Sequence, residues 1–289
     1  MIVKAIVSAI AFVILAPFLG GLLAGFERKL SAKMQRRVGP PILQPFYDVA
    51  KLFQKESMAP SRYQDFYVIV FVVSIILTGV IFFAGLDLLI VIFTLTIGST
   101  FLIVAAYSAN SPYTEIGAER ELLSMMAYEP MVLLTVIGFY MYTGSFNVRD
   151  ILVNDSMPFL PMIGLFIGWM YILTIKLRKS PFDLSMAHHA HQELVRGITT
   201  EFIGSSMAWI EISHWYENVF LLGFVFLFFV NGTAWGWILG VVVAIVAYFF
   251  EVLIDNCFAR MKWQFAFKSS WLVAVILGTI NIFVLYLCF

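Results

Sequence analysis

Residues 66–107 read FYVIVFVVSIILTGVIFFAGLDLLIVIFTLTIGSTFLIVAAY, and this stretch decides the fold class. Two apolar runs, Phe66 to Ala84 and Leu86 to Tyr107, are separated only by a tight turn. Each run has about the 20 residues that an α-helix needs to cross a bilayer. Backbone groups in lipid must be satisfied within their own segment, which favours helices. Asp87 is the one charged residue of the stretch, and we expect it to be a helix N-cap.

The rest of the 289-residue chain has the same character. Hydrophobic residues make up 61% of the chain, charged residues 12%, and the mean hydropathy is +0.92, which excludes an ordinary soluble protein. The runs are too long and too uniformly apolar for the alternating strands of a membrane β-barrel. We therefore predict an all-α integral membrane protein with one transmembrane domain, residues 1–289. Its eight predicted membrane helices are Ile6 to Phe26, Phe66 to Ala84, Leu86 to Tyr107, Leu122 to Tyr142, Phe159 to Leu177, Phe202 to Val230, Trp235 to Phe258 and Ser270 to Phe289.

Basic residues are distributed unevenly between the two sides of this predicted bundle. All of the 18 Lys and Arg residues except Lys4 and Arg149 fall in or beside loops 1, 3, 5 and 7. Loop 1 comprises residues 27–65 and loop 5 residues 178–201. Short connections rich in Lys and Arg stay in the cytoplasm. We therefore expect these four loops on the cytoplasmic side of a plasma membrane and both termini outside, with the first run retained as a helix.

The cysteine content limits the redox chemistry of the chain. Its 2 cysteines, Cys257 and Cys288, lie in apolar runs, and no Cys-x-x-Cys pair occurs. The chain therefore lacks the ligands for an iron-sulfur cluster of its own. The run HHAH at 188–191 has no second ligand cluster at metal-site spacing, so no metal site is predicted. Any redox centre must be carried by partner chains.

Six ionisable residues fall inside or at the ends of predicted membrane helices. A charge near the bilayer centre costs about 2.5 to 3.5 kcal/mol on insertion scales, so these positions are candidates for ion or proton movement. Glu129 precedes Pro130, whose ring frees a backbone carbonyl beside the carboxylate. Glu211 and His214 are three residues apart and share a helix face. For Glu217, Asp255 and Glu251 a purely structural role, as a headgroup-level residue or as half of a buried ion pair, stays open beside a functional one.

Loop 1 contains a predicted amphipathic helix that starts at Pro45, a residue suited to the first helical position. Apolar residues recur at helical spacing from Phe46 to Phe53, opposite a charged face that includes Asp48. A basic helix of this kind lies on the cytoplasmic membrane surface.

Four motifs, in order along the chain, carry a resemblance to a known family. They are Glu27-Arg28-Lys29, Arg37-Val38-Gly39-Pro40 with Gln44-Pro45, Arg120 leading to Tyr128-Glu129, and Pro181-Phe182-Asp183-Leu184 continuing to Glu193-Leu194-Val195 and Thr200-Glu201-Phe202. With these motifs the chain resembles the subunit 1 family of respiratory complex I. It resembles more closely the homologous membrane subunit of energy-converting, membrane-bound NiFe hydrogenases.

The resemblance implies a coupling subunit beneath a hydrophilic redox arm. In complex I the corresponding loops bound a quinone chamber, from which acidic residues begin a polar path toward antiporter-like subunits. On this basis the predicted coupling path comprises Glu129, Glu193 and Glu201, extended inward by Glu211 and His214. The residues carried over to the docking loops are Arg37, Arg120 and Asp183. No catalytic residue is predicted on this chain.

Departures from the complex I pattern favour the hydrogenase branch. Loop 1 is compact between Arg37 and Pro45, loop 5 carries the histidine-rich segment 185–193, and His214 stands where an acidic residue is common. These changes surround the chamber and argue against quinone binding. We therefore predict a membrane anchor and coupling subunit of a ferredoxin-oxidising, hydrogen-evolving complex that moves protons or sodium ions. The histidine-rich segment is a candidate proton relay.

The predicted partners carry the redox centres. They are hydrogenase-like large and small subunits, a ferredoxin-like iron-sulfur subunit and antiporter-like membrane subunits. The NiFe centre and the iron-sulfur clusters would belong to these partners, and no cofactor is expected on this chain alone. Three alternatives stay open: a quinone-chamber subunit of an NADH:quinone oxidoreductase, a membrane subunit of a sulfur-reducing relative and, from a different class, a stand-alone secondary transporter.

Overall fold

The structure is a computed structural model that describes residues 2–56, 61–186 and 196–288. Within these ranges the chain is helical and forms no strand, which confirms the predicted fold class. The helices are α1 (Ile2–Met34), α2 (Gln44–Gln54), α3 (Arg62–Phe83), α4 (Leu88–Tyr107), α5 (Pro112–Thr143), α6 (Val148–Val153), α7 (Ile163–Lys176), α8 (Ser205–Leu227), α9 (Ala234–Cys257), α10 (Trp263–Val273) and α11 (Ile280–Cys288). A π-helical segment, Ala274–Thr279, joins α10 to α11, and a 3-10 turn, Gly197–Thr199, precedes α8.

Most of these helices have the length and composition of membrane spans. In the described part of the chain, 6 stretches are long and apolar enough to cross a bilayer: α1, α3, α4, α5, α9 and the continuous stretch from α10 to α11. Helix α7 is apolar but has only 14 residues, and α8 has 23 residues that include Glu211 and Glu217. The chain is thus a multi-pass membrane protein, whereas the count of eight spans stays a prediction.

Two helices extend beyond the predicted apolar runs into sequence that the hydropathy pattern places in loops. Helix α1 continues past Phe26 to Met34, and α5 begins at Pro112, so Arg120 lies on a helix and not in a loop. The α1 extension, residues 27–34, consists largely of strong helix formers, and so does half of the α5 extension, residues 112–121. Hydropathy marks where a helix is apolar, and propensity lets the same helix continue into the polar region.

The hairpin between α3 and α4 is held as the sequence predicts. The backbone N–H of Leu89 donates to Oδ1 of Asp87 at 2.7 Å, which confirms Asp87 as the N-cap of α4. The connection between α5 and α6 pairs with this turn, because the N–H of Leu88 donates to the carbonyl of Phe146 at 2.9 Å. The hairpin is therefore tied to α5 as well as to itself.

Aromatic stacking fixes α7 against α8. The rings of Trp169 and Phe224 are stacked with centroids 3.9 Å apart, and both side chains are almost fully buried. Lipid offers apolar helices little drive to associate, so close packing of this kind sets their register. Lys176 lies seven residues after Trp169, and Glu217 lies seven residues before Phe224, so each shares its helix face with a stacked ring. The stack thereby positions Lys176 beside Glu217.

Helix α2 confirms the predicted amphipathic helix and packs against α1 and α8. Gly21 of α1 lies under the ring of Phe46, and Gly25 lies against the backbone of Ile42, so neither position has room for a side chain. Phe46 also contacts Trp215 of α8, with ring centroids 5.2 Å apart. The small residues of α1 are therefore the surface on which loop 1 is seated.

Candidate functional site: a buried chain of charged side chains

An ion pair inside the helix bundle forms the inner end of the site. Nζ of Lys176, at the last residue of α7, lies 3.1 Å from Oε1 of Glu217 on α8, and the two side chains are only 6% and 7% exposed. Removing both charges from water is costly, and breaking such a pair leaves a charge that nothing compensates. Of the two structural roles that the sequence leaves open for Glu217, the structure shows the buried ion pair and not the headgroup-level position.

The chain leaves α7 through a C-terminal cap that uses an arginine where glycine is usual. Arg178 has φ of 51°, in the left-handed region, and its N–H donates to the carbonyl of Ile175 at 3.0 Å. The N–H of Lys179 donates to the carbonyl of Thr174 at 3.1 Å, which completes a Schellman motif. The left-handed turn sends the side chains of Arg178 and Lys179 to different neighbours.

Arg178 continues the site toward loop 5. Its Nη2 lies 2.8 Å from Oε1 of Glu121 on α5, and its Nη1 lies 2.8 Å from Nε2 of His214 on α8. Nδ1 of His214 lies 3.5 Å from Oε2 of Glu217. The hydroxyl of Ser185 donates to the other oxygen of Glu121. We call this connected series the buried chain: Ser185, Glu121, Arg178, His214, Glu217 and Lys176.

Only one tautomer of His214 satisfies both of its neighbours. A guanidinium N–H can only donate, so Nε2 must present its lone pair to Arg178. Nδ1 then carries the proton and donates toward Glu217. With His214 neutral, the two carboxylates of the buried chain balance Arg178 and Lys176. A second proton on His214 would place an N–H against the guanidinium, so protonation requires Arg178 to move away.

The inner end also meets an aromatic ring and a small cavity. Nζ of Lys176 lies 4.5 Å from the ring centroid of Tyr128 and 3.2 Å from the hydroxyl of Ser99. A cavity of about 10 Å³ is lined by Tyr128, Lys176, Arg178 and other members of the buried chain. This is close to the smallest volume that holds one water. The buried chain therefore runs along a water-sized polar space.

The predicted coupling residues fall at different distances from the buried chain. His214 is a member of it, with Glu217 and Arg178 as its partners. Glu129 is partly buried on α5 beside Tyr128, and it interacts electrostatically with Lys176. The other three predicted residues are not members of the buried chain. Glu211 is partly buried on α8, Glu201 lies in the turn before α8, and Glu193 is outside the described residues.

The predicted docking residues lie near the ends of the helices. Arg37 is exposed just after α1 and donates a hydrogen bond to Gln35. Asp183 is buried after α7, with its Oδ1 3.6 Å from Nε of Arg260. Arg120 is partly buried on α5. Within the described ranges no three His, Cys, Asp or Glu side chains are arranged to hold a metal ion, and the HHAH run lies outside those ranges.

The sequence interpretation misses three members of the buried chain. Lys176 and Arg178 contribute only to the count of loop charges, and no pattern singles out Glu121. One signal is available in the sequence, because Lys176 falls inside the predicted span that ends at Leu177, and a cation there requires an anion from another helix. Choosing Glu217 as that anion requires knowing which faces of α7 and α8 meet.

A second charged cluster lies on the other side of loop 5. Lys179 pairs with Glu27 of α1 and lies 3.8 Å from Oδ2 of Asp255 on α9. The hydroxyl of Tyr248 donates to Glu27 at 2.7 Å. Glu251 is fully buried one helical turn before Asp255. We call this group the cleft cluster, since Glu27, Lys179 and Asp255 line an open cleft of about 750 Å³ between the ends of α1, α7 and α9.

Comparison with known proteins places almost the whole chain in one family. The family model for NADH dehydrogenase matches residues 6–286. Formate hydrogenlyase subunit 4 of Escherichia coli is 29% identical over 92% of this chain and 93% of its own length. NADH-ubiquinone oxidoreductase chain 1 of Patiria pectinifera is 28% identical over 79% of this chain and 75% of its own length.

A solved structure shares the fold. A chain in the structure of the membrane-bound sulfane sulfur reductase, an archaeal respiratory membrane complex, superposes with a TM-score of 0.84 at 27% identity. The similarity covers 96% of this chain and 99% of that chain. The named relatives are subunits of energy-converting membrane complexes, and the buried chain lies where the end of α7 and loop 5 meet α5 and α8. The protein belongs to the NADH dehydrogenase subunit 1 family, as a multi-pass membrane subunit of a complex I-like or hydrogenase-like complex.

Proposed function

We propose that this chain is the membrane anchor and coupling subunit of a ferredoxin-oxidising, hydrogen-evolving NiFe hydrogenase complex that moves protons or sodium ions. The observation that carries the proposal is the buried chain, which gives loop 5 a continuous polar connection to Lys176 inside the bundle. Similarity over 93% of formate hydrogenlyase subunit 4 supports the hydrogenase branch.

The coupling step that we propose is a movement of Arg178. An arginine does not release its proton in a protein, so it moves as a fixed positive charge. Negative charge that arrives on a reduced centre in the arm would draw Arg178 away, and Nε2 of His214 would then accept a proton from the path that begins at the carboxyl groups of loop 5. Protonated His214 pairs more strongly with Glu217 and weakens the hold of Glu217 on Lys176. Lys176 then shifts toward Glu129, which it already influences electrostatically.

The docking face that we propose consists of loops 1 and 5, together with the start of α5, on the cytoplasmic side. Arg37, Arg120 and Asp183 would contact the hydrophilic large and small subunits and the ferredoxin-like subunit, which would carry the NiFe centre and the iron-sulfur clusters. Glu193 and Glu201 would lie at the entrance of the proton path, and Glu211 would extend it along α8. Antiporter-like membrane subunits would receive the signal from the bundle.

One observation favours a second candidate. The structural neighbour is part of a sulfane sulfur reductase, so a sulfur-reducing complex is the alternative. The purified native complex would be supplied with reduced ferredoxin, and hydrogen, sulfide and quinol formation would be measured together with nickel content. Hydrogen formation by a complex that contains nickel supports the hydrogenase. Sulfide formation by a complex without nickel supports the sulfur-reducing alternative. Quinol formation would instead indicate the quinone-reducing branch, and transport by this chain alone would indicate a transporter.

The coupling role is tested by Glu217→Gln in the assembled complex. Gln keeps the shape but cannot hold Lys176 as an ion pair, so ion uptake per hydrogen evolved should fall about tenfold, the effect of raising one step by about 1.4 kcal/mol. Hydrogen evolution by uncoupled vesicles should persist. Glu119→Gln, at an exposed position of α5, is the matched control and should leave uptake unchanged. Normal uptake in assembled Glu217→Gln complexes would sink the proposal.

A further inference from the structure

Glu251 is a buried acid that the coupling step above does not use. Its side chain on α9 is fully buried, with a relative exposure of 0%. Neither carboxylate oxygen accepts a hydrogen bond from any residue in the described ranges. A buried ionised carboxylate without donors is strongly unfavourable, whereas a protonated carboxyl group is tolerated in the same place. The geometry therefore favours Glu251 with its proton bound.

The groups around Glu251 reinforce this state. Lys179 acts on Glu251 electrostatically, but it is held by Glu27 and lies near Asp255. Thr174 faces Glu251 from α7, but its hydroxyl donates to the carbonyl of Met170 at 3.2 Å. With Glu251 neutral, two carboxylates already surround a single ammonium group. A third negative charge would have to share this ammonium group with the two carboxylates already beside it.

The cleft supplies one route for a proton. Asp255 lies four residues after Glu251, on the same face of α9, and its side chain is 31% exposed at the cleft wall. On the opposite side, Tyr248 lines an almost wholly apolar groove between α1, α8 and α9. That groove offers very little polar surface, so it is a poor path for a proton. Exchange with water therefore passes through Asp255 and the cleft.

We propose that Glu251 is a proton-binding site, loaded from the cleft through Asp255 and emptied when Lys179 turns from Glu27 toward Glu251. On release, the O–H bond of Glu251 breaks and the proton passes to the carboxylate of Asp255 and then to water in the cleft. The ammonium group of Lys179 compensates the carboxylate left behind. The site is separate from the buried chain and does not depend on which acceptor the partner subunits reduce.

The proposal is tested by infrared spectroscopy of the purified complex in lipid discs at neutral pH. A protonated carboxyl group gives a carbonyl-stretch band that ionised carboxylates lack. We expect this band in the wild type and its loss in Glu251→Gln, while Glu119→Gln keeps it. An unchanged band in assembled Glu251→Gln complexes overturns the proposal. If that variant fails to assemble, Glu251→Asp keeps an acid at the position. The carbonyl-stretch band should then shift in frequency, and an unshifted band would also overturn the proposal.

The same infrared band tests two further parts of the proposal separately. The route is proton exchange through Asp255, and the switch is the movement of Lys179 from Glu27 toward Glu251. Asp255→Asn should slow hydrogen–deuterium exchange of the Glu251 proton several-fold, because the relay at the cleft wall is lost. Lys179→Met should keep the band present to higher pH, since the ammonium group that favours ionisation is gone. Exchange at the wild-type rate in Asp255→Asn complexes refutes the route. An unaltered pH dependence in Lys179→Met complexes refutes the switch.

Discussion

Arg178 and Lys179 are adjacent in the chain, yet their side chains enter two charged clusters of opposite character. Arg178 joins the buried chain, in which both carboxylates are hydrogen-bonded and the charges balance when His214 is neutral. Lys179 joins the cleft cluster, where one ammonium group serves several acids and Glu251 has no hydrogen-bond donor among the described residues. The left-handed backbone of Arg178 separates the two.

The two clusters show how one short segment of loop 5 contributes to two kinds of charged site. A balanced series, in which each carboxylate has a cation beside it, holds its geometry and responds only when a charge is added or removed. A cluster with more acids than cations retains a proton and releases it when its single cation moves. Both respond to movements of the same two-residue segment, so a partner that pulls on loop 5 would act on both clusters at once.

The largest effect should come from removing one charge of the buried ion pair. Lys176→Met leaves Glu217 ionised and unpaired in the bundle, and breaking a buried pair in this way costs about 3 to 5 kcal/mol. We expect the purified complex to lose thermal stability strongly or not to assemble, as measured by unfolding in detergent. The double variant Lys176→Met with Glu217→Gln removes both charges and should recover most of the loss. If the single variant is as stable as the wild type, the pair does not hold α7 to α8.

A smaller effect should separate two of the arginines with left-handed backbone, Arg36 and Arg178. Arg36, after α1, and Arg178, after α7, both occupy the position where helices usually end in glycine. Arg36 is exposed, so Arg36→Gly should change stability by less than about 1 kcal/mol. Arg178→Gly also removes two hydrogen bonds to buried partners and should cost about 2 to 3 kcal/mol. Equal stabilities of the two variants would show that Arg178 matters only for the backbone.

The smallest effect should appear at the surface of loop 1. Burial raises the pKa of Asp48, but hydrogen bonds from Arg28 and Gln44 outweigh it and hold the pKa below its usual value. The contribution of Asp48 to the free energy of unfolding is therefore fully present above the unfolded pKa of about 3.9. It is lost as pH falls through the lower folded value. Asp48→Asn should cost at most about 1 kcal/mol at neutral pH, since the pair is partly exposed. Thermal unfolding of variant and wild type should converge in acid.

Part of the fold, and one residue of the site, could be predicted because they depend on local features. Asp87 caps α4 as its position in the turn predicts, and α2 forms from the apolar repeat that begins at Phe46. His214 is conspicuous in the sequence because it lies in an apolar span. Its partners are not, because the sequence suggests Glu211 on the same helix while the structure brings in Glu217 and a residue from loop 5.

The apolar runs alone establish the fold class and the membrane location, because runs of this length have few alternatives to a helix in lipid. The sequence also located Asp87 and the amphipathic helix, which depend on neighbours within a few residues. Only the tertiary structure decided which charges meet. Lys176 and Glu217 are 41 residues apart, and they meet because Trp169 and Phe224 stack and set the register of α7 on α8. A pairing between distant helices depends on side-chain packing that no local pattern encodes.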